Sequence, residues 1–214
     1  MALAILITDV YSKRCKKLYQ SAILLPFLVS IVVVSYIVFA FLSAENGMVN
    51  KGLLKWLGIP AVQWYSEPKY WPFILTFVNL WKGCGYGTLI YIAGITGIDP
   101  SFYEAAKLDG ASRWKQITNI TLPCLIPSLI TMTMLNIGRI FCSDFGLFYQ
   151  VPQNSGALFS ATQTIDTYVY RALMSAGGIG RSAAAGFFQS IVGFILVIGA
   201  NCLVRKISRE NAMF

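Results

Sequence analysis

Four apolar stretches, at about residues 21–43, 71–96, 122–141 and 183–204, fix what this chain can become. Each is long enough for a helix to cross the hydrocarbon core of a bilayer, which takes about 20 apolar residues. Inside lipid every backbone N–H and C=O must find its partner within the segment, so such stretches are helices. Charged residues are 12% of the 214, where a soluble domain carries about 25%. The fold class expected is all-α, a polytopic transmembrane helical bundle forming one domain over 1–214. A fifth apolar run, Ala2 to Thr8, is too short to span and reads as the end of a helix whose beginning is missing.

Charge sets the orientation. Lys13, Arg14, Lys16 and Lys17 precede the first span, and Arg205, Lys206 and Arg209 follow the last. Cytoplasmic loops collect Lys and Arg, so both flanks lie inside, with the C-terminus cytoplasmic. Four spans then put 98–121 inside and the loops 44–70 and 142–182 outside. The net charge of +8 is spread over helix ends rather than gathered with aromatics, so no nucleic-acid partner is expected. The apolar N-terminal run precedes the basic cluster, the reverse of a signal peptide.

Several chemistries are excluded. There is no histidine, which removes the commonest general base and zinc ligand. Neither a Gly-x-Ser-x-Gly elbow nor a phosphate-binding Gly-x4-Gly-Lys loop occurs, so the chain is not expected to hydrolyse ATP. Cysteines 15, 84, 124, 142 and 202 form no Cys-x-x-Cys pair. No catalytic residue, metal site or cofactor is expected.

The spans carry local signals. Pro26 is expected to kink the first without breaking it. Trp56, Trp64, Tyr65, Tyr70 and Trp71 read as interfacial aromatics. Gly83-x3-Gly87 reads as a close helix–helix contact, and Ser182, Gly186, Ser190 and Gly193 as a small-residue packing stripe. Lys82 lies near mid-span, where an ionisable side chain marks a functional site by default; snorkelling or local pairing is the alternative. The segment Ile165–Arg171 reads as a short interfacial helix followed by a glycine hinge at Gly177, Gly178 and Gly180.

The polar stretch 98–121 is the most specific. Asp99-Pro100 is a helix start, with a capping carboxylate followed by proline at the first helical position. That helix is expected to run to about Leu108, where Asp109-Gly110 turns the chain. Ser112 then caps a second short helix ending near Leu122-Pro123. Within this frame stand Glu104-Ala105-Ala106, Gly110 between Asp109 and Ala111, and Ile120-x-Leu122-Pro123. This spaced pattern resembles the cytoplasmic coupling loop of ABC-importer permeases.

Nearly the whole chain resembles the inner-membrane permeases of carbohydrate ABC importers, the oligosaccharide or aldouronate type of Gram-positive bacteria above all. The stretches 98–106 and 165–171 carry that finer likeness. The resemblance implies a plasma-membrane subunit of a bacterial importer. Its implied partners are a second permease forming a heterodimer, a cytoplasmic ATPase dimer, an extracellular solute-binding lipoprotein, a sugar substrate and membrane lipid. It implies ATPase coupling through Tyr103, Glu104, Ala105, Ala106, Asp109, Gly110, Ala111, Trp114, Ile117, Ile120, Leu122 and Pro123; Ile117 stands where sugar permeases commonly have Phe. Asn79, Lys82, Tyr86, Asn136 and Arg139 become candidates for the substrate path. Asp166, Tyr168, Tyr170 and Arg171 become candidates for sugar or binding-protein contacts outside. Such permeases usually have six spans, so four and a remnant suggest N-terminal truncation. An ATP-independent carrier or channel, and a non-functional remnant, are the competing readings.

Overall fold

The computed structural model describes residues 1–10, 12–140, 142–175 and 178–207. The glycine hinge at Gly177 and the terminal Arg209 lie outside them. Every regular element among the described residues is helical. In chain order these are α1 (Ala2–Thr8), α2 (Lys13–Leu28), α3 (Ile31–Leu42), α4 (Trp71–Thr96), α5 (Pro100–Leu108) and α6 (Arg113–Gln116). They continue with α7 (Leu122–Gly138), α8 (Phe145–Gln150), α9 (Phe159–Thr162), α10 (Ile165–Met174) and α11 (Ile179–Ile207).

Among the described residues, two stretches are long and apolar enough to cross a membrane, Arg113–Ile137 and Ile179–Cys202. The bent pair α2 and α3 makes a third if counted as one span. The 26-residue α4 coincides with the expected stretch 71–96 and has the length to cross. Asn79, Lys82, its glycines and its aromatic residues dilute its apolar character.

Two expected spans differ in form. The stretch 21–43 is not one kinked helix: α2 ends at Leu28, and Ser30 starts α3 by accepting a hydrogen bond from the Val32 N–H at 3.4 Å. Pro26 lies inside the last turn of α2, where its missing N–H weakens the ladder. Nor does the helix begun at Ser112 stop at Leu122-Pro123. It widens into a π-helical turn over Ile117–Thr121 and runs on into α7. The wider turn lets the Leu122 N–H reach the Ile117 carbonyl. Proline in a regular helix would clash with the carbonyl four residues back, so the widening accommodates Pro123.

The chain divides into two compact units. The first comprises Met1–Phe27, Gly83–Gly138 and the stretch from Phe194; the second, Leu28–Lys82 and Arg139–Gly193. In the first, Ala4, Ile7 and Ile92 are buried together, with Ile23, Tyr91 and Ile95 packed around them. The close approach comes at Gly85, not at Gly83 and Gly87 as expected. A Cβ on Gly85 would fall on the Ile23 carbonyl oxygen, while Gly83 and Gly87 face open space. At Gly94 the Leu125 side chain lies 2.7 Å from where a Cβ would stand.

The second unit has its own core of Val34, Trp71, Leu75, Val78, Leu147, Val151 and Leu158. Of the expected interfacial aromatics, Trp71 folds into it and Tyr65 against it, while Trp64 packs with Tyr70. Trp71 is fully buried and donates its indole N–H to the Trp64 carbonyl at 2.7 Å. Tyr65 packs edge-on against Trp71 and donates to the Val151 carbonyl at 3.4 Å. Trp56 alone of the five keeps a wholly surface character, at 84% exposed. Beneath them the buried amide of Asn50 donates to the Val62 and Ala44 carbonyls at 2.9 and 3.2 Å. Its Oδ1 receives the Trp64 indole at 2.9 Å and the Val62 N–H at 3.3 Å.

Candidate functional site

The stretch 98–121 folds as two short helical arms about a glycine. Asp99 caps α5 by accepting from the Ser101 N–H at 2.9 Å, with Pro100 at the first helical position. That same donor holds the Asp99 carboxyl below its ordinary value. Asp109 closes α5, and Gly110 takes φ +72°, a left-handed conformation that glycine adopts without a Cβ clash. Ser112 caps the second arm by accepting from the Lys115 N–H at 3.4 Å. One bond ties the arms together, and a second ties the second arm to the turn. Tyr103 Oη lies 2.8 Å from Thr121 Oγ1, and the buried Gln116 donates its amide to the Ala111 carbonyl at 2.9 Å. Arg113 reaches Asp9 at 3.4 Å.

The surface of this projection is polar with an apolar tip. Glu104, Ala105, Asp109, Gly110 and Pro123 are exposed; Tyr103, Ala106, Ala111, Ile117, Ile120 and Leu122 are half-buried. Leu108 is 90% exposed, Trp114 73% and Phe102 58%. Three large apolar side chains of the projection are thus left exposed. Gln116, Phe102 and Leu108 were not singled out from sequence. A buried glutamine in an amphipathic turn leaves no local signal, whereas Leu108, beside the turn, was legible in principle.

The five path candidates fall in different settings. Asn79, Asn136 and Arg139 are exposed. Tyr86 stacks on Phe27 with ring centroids 5.1 Å apart. Lys82 is half-buried and donates from Nζ to the Val29 carbonyl at 2.6 Å. That carbonyl lies at the break between α2 and α3, so the ammonium replaces a lost helical hydrogen bond. This bond is of the kind the local-pairing alternative expects.

The four outer candidates also separate. Thr164 caps α10 in a reciprocal box with Thr167. Asp166 and Tyr170, one turn apart, line one open cleft of about 460 Å³ with Cys142, Phe145, Gln189 and Ser190. Tyr168 lines another, of about 450 Å³, with Thr164, Ala185 and Phe188. Arg171 turns elsewhere, donating from Nε to Asn154 Oδ1 at 2.9 Å with its guanidinium 3.8 Å over the Phe159 ring. Burial holds the Arg171 guanidinium below its ordinary value.

Asp166 is the centre of a polar network. Its Oδ2 accepts from the Ser143 N–H and hydroxyl, both at 2.6 Å, and its Oδ1 from the Gln189 amide at 3.2 Å. Burial pushes this carboxyl up, but the Ser143 and Gln189 donors outweigh it and hold it below the usual value. The expected packing stripe on α11 divides here. Ser182 is buried and donates to the Val169 carbonyl at 2.9 Å, whereas Gly186 and Ser190 line the opening. Ser143, Phe145 and Gln189 went unnoticed in sequence; a glutamine within an apolar span was the available clue.

The likeness to known proteins is extensive. Protein LplB of Bacillus subtilis (strain 168) is 31% identical over 99% of this chain and 65% of its own length. The polygalacturonan/rhamnogalacturonan transport system permease protein YteP of the same organism is 33% identical over 98% of this chain and 64% of its own. The chain thus spans a little under two thirds of the length of these relatives. A crystal structure of a bacterial ABC transporter involved in import of the acidic polysaccharide alginate superposes with a TM-score of 0.89. The identity is 34%, covering 97% of this chain and 71% of that one. The family described as binding-protein-dependent transport system inner membrane component matches residues 1–209, and the chain belongs to that family.

Proposed function

We propose that the chain is a permease subunit of an ATP-driven carbohydrate importer, binding and gating without chemistry of its own. The observation that carries this reading is the 99–121 projection, two capped arms around Gly110 with Phe102, Leu108 and Trp114 presented outward. A cytoplasmic ATPase subunit would receive that apolar tip. Glu104 would meet a basic residue on it, and Ala105 and Ala106 permit close approach. The second arm is continuous with the membrane-crossing stretch Arg113–Ile137. A push at Trp114 is therefore delivered along a helix to the transport path rather than absorbed in a loop. ATPase closure would rock α7 and switch the path from inward-facing to outward-facing.

The partners that complete this reading are a second permease subunit, a pair of ATPase subunits and an external solute-binding lipoprotein. The alginate importer supports the last, since it has been crystallised with its saccharide-bound periplasmic protein. Its substrate and the polygalacturonan of YteP support a carbohydrate cargo. The C-terminus lies in the cytoplasm in this arrangement, on the same side as Lys13–Lys17. An ion-coupled carrier would need no docking projection.

The test is co-purification from detergent-solubilised membranes, comparing the parent chain with Leu108→Glu and Gly110→Val. Leu108 is so exposed that its replacement leaves the fold alone, while valine at φ +72° strains the turn. An ATPase subunit recovered with the parent and lost with both variants is the expected result. Equal recovery with Leu108→Glu would overturn the docking assignment, and no ATPase with the parent would overturn the importer reading.

A further inference from the structure

We propose that the cleft between α10 and α11, lined by Phe145, Tyr170, Asp166, Gln189, Ser190 and Cys142, is a subsite for an uncharged sugar ring. This rests on the importer reading and narrows it to the kind of sugar residue accepted at this point.

The lining has both halves of a saccharide site. Tyr170 and Phe145 supply ring faces with centroids 4.9 Å apart, and Tyr149 braces both at 5.0 and 4.9 Å. A braced aromatic face offers the C–H side of a pyranose a rigid apolar platform at little entropic cost. The same lining carries polar groups suited to hydroxyls. A carboxylate has about four lone-pair sites; Ser143 donates twice and Gln189 reaches both oxygens, at 3.2 and 3.4 Å, so a sugar O–H takes the place of the longer Gln189 contact. Ser190 donates to the Gly186 carbonyl at 2.9 Å, so its oxygen remains an acceptor.

Charge decides the class of ring. None of the described residues lining the cleft is Lys or Arg. Arg171, the nearest cation in sequence, is not among the lining residues: its Nε donates to Asn154, its guanidinium lies over the Phe159 ring, and its terminal nitrogens are buried. A uronate would place its carboxylate against that of Asp166 with no cation to offset it, and like charges brought together in this way reject a ligand. A hydroxyl or hydroxymethyl group at the same position donates to Asp166 instead. Lipid is a poor occupant, since an ionised side chain facing hydrocarbon is strongly disfavoured.

The experiment uses the assembled complex in lipid nanodiscs, with Cys15, Cys84, Cys124 and Cys202 changed to serine. Cys142 lines the cleft and is exposed, so its rate of labelling by a maleimide reports occupancy. Neutral tetrasaccharides of pentose and hexose are expected to slow labelling, and trigalacturonate is not. Asp166→Asn is expected to weaken neutral protection about tenfold or more, the loss of a charge-assisted hydrogen bond, and to admit the uronate. Because Asp166 also holds Ser143 and Gln189, Ser190→Trp provides a second variant. It fills the opening from an exposed position and is expected to abolish protection.

Equal protection by trigalacturonate in the parent overturns the assignment, as does unchanged protection in Ser190→Trp. Cys142 unreactive in the sugar-free complex would mean that the partner subunit covers the cleft, and would also overturn it. If no saccharide protects while the ATPase still co-purifies, the subsite falls and the importer reading stands.

Discussion

The projection at 99–121 and the outer shell around Trp71 are held together by opposite means. In the projection nearly every bond is local: Asp99 to Ser101, Ser112 to Lys115, Gln116 to Ala111. Its hydrogen bond of longest reach is Tyr103 to Thr121, and the exposed ion pair of Arg113 with Asp9 is its distant tie. In the outer shell the chain is stitched across great separations, from Tyr65 to Val151 and from Ser155 back to the Tyr65 carbonyl. One region presents its large apolar side chains and the other buries them. A docking element must keep its partner-facing surface free, so its shape has to come from caps and a turn. The outer shell instead depends on buried groups that satisfy one another.

The largest effect expected from this contrast is at Asn50. Asn50→Leu keeps the volume but strips the Trp64 indole N–H and the Val62 N–H of their acceptor in a buried place. Each such orphan costs about 1–3 kcal/mol. A fall of about 2–4 kcal/mol is expected, read as a lower unfolding temperature in detergent and faster proteolysis within 44–70. The projection should keep the ATPase proposed for it. A variant with unchanged melting would break the contrast at its strongest point.

A smaller effect separates glycines that look alike in sequence. Gly85→Ala drives a Cβ onto the Ile23 carbonyl, and backbone cannot yield as a side-chain tip can. Overpacking of this kind costs about 1–3 kcal/mol. Gly83→Ala meets open space and should gain about 0.5–1 kcal/mol from helix propensity. Thermal melts of the two variants moving in opposite directions sharpen the reading; a shared direction would mean that the approach at Gly85 is not the close one.

These two cases mark how far the sequence could be read. The arms of the projection were legible because Asp99-Pro100, Gly110 and Ser112 act on residues within a turn of themselves. So was the long α4, whose ends fall where the apolar run ends. The helix continuing past Pro123 was not, because the π-helical turn that accommodates the proline has no pattern of its own. Nor was the bond from Lys82 to the Val29 carbonyl, 53 residues away. The cleft was half legible. Asp166 and Tyr170 stood out on one short helix, but Ser143 and Gln189 reach Asp166 from 23 residues on either side. Spacing along a chain reports a helix face well and a junction of three segments hardly at all.

The smallest effects test whether the projection really is held by its caps. Ser112→Ala should cost about 1 kcal/mol, seen as faster hydrogen exchange over Lys115–Ile117 with no change around Trp71. Acid should act on the first arm through Asp99. Its carboxyl is held low in the folded state, so the stabilisation is present above the ordinary carboxylate range and is lost as pH falls through the lowered value. Asp166 has the same sign, so acid also loosens its network in the second unit. Asp99→Asn separates the two. An asparagine still accepts from the Ser101 N–H but carries no proton equilibrium, so acid-induced exchange over Ser101–Glu104 should vanish while that around Ser143 persists. If the variant removes both, the two regions share a support, and a purely local account of the projection is wrong.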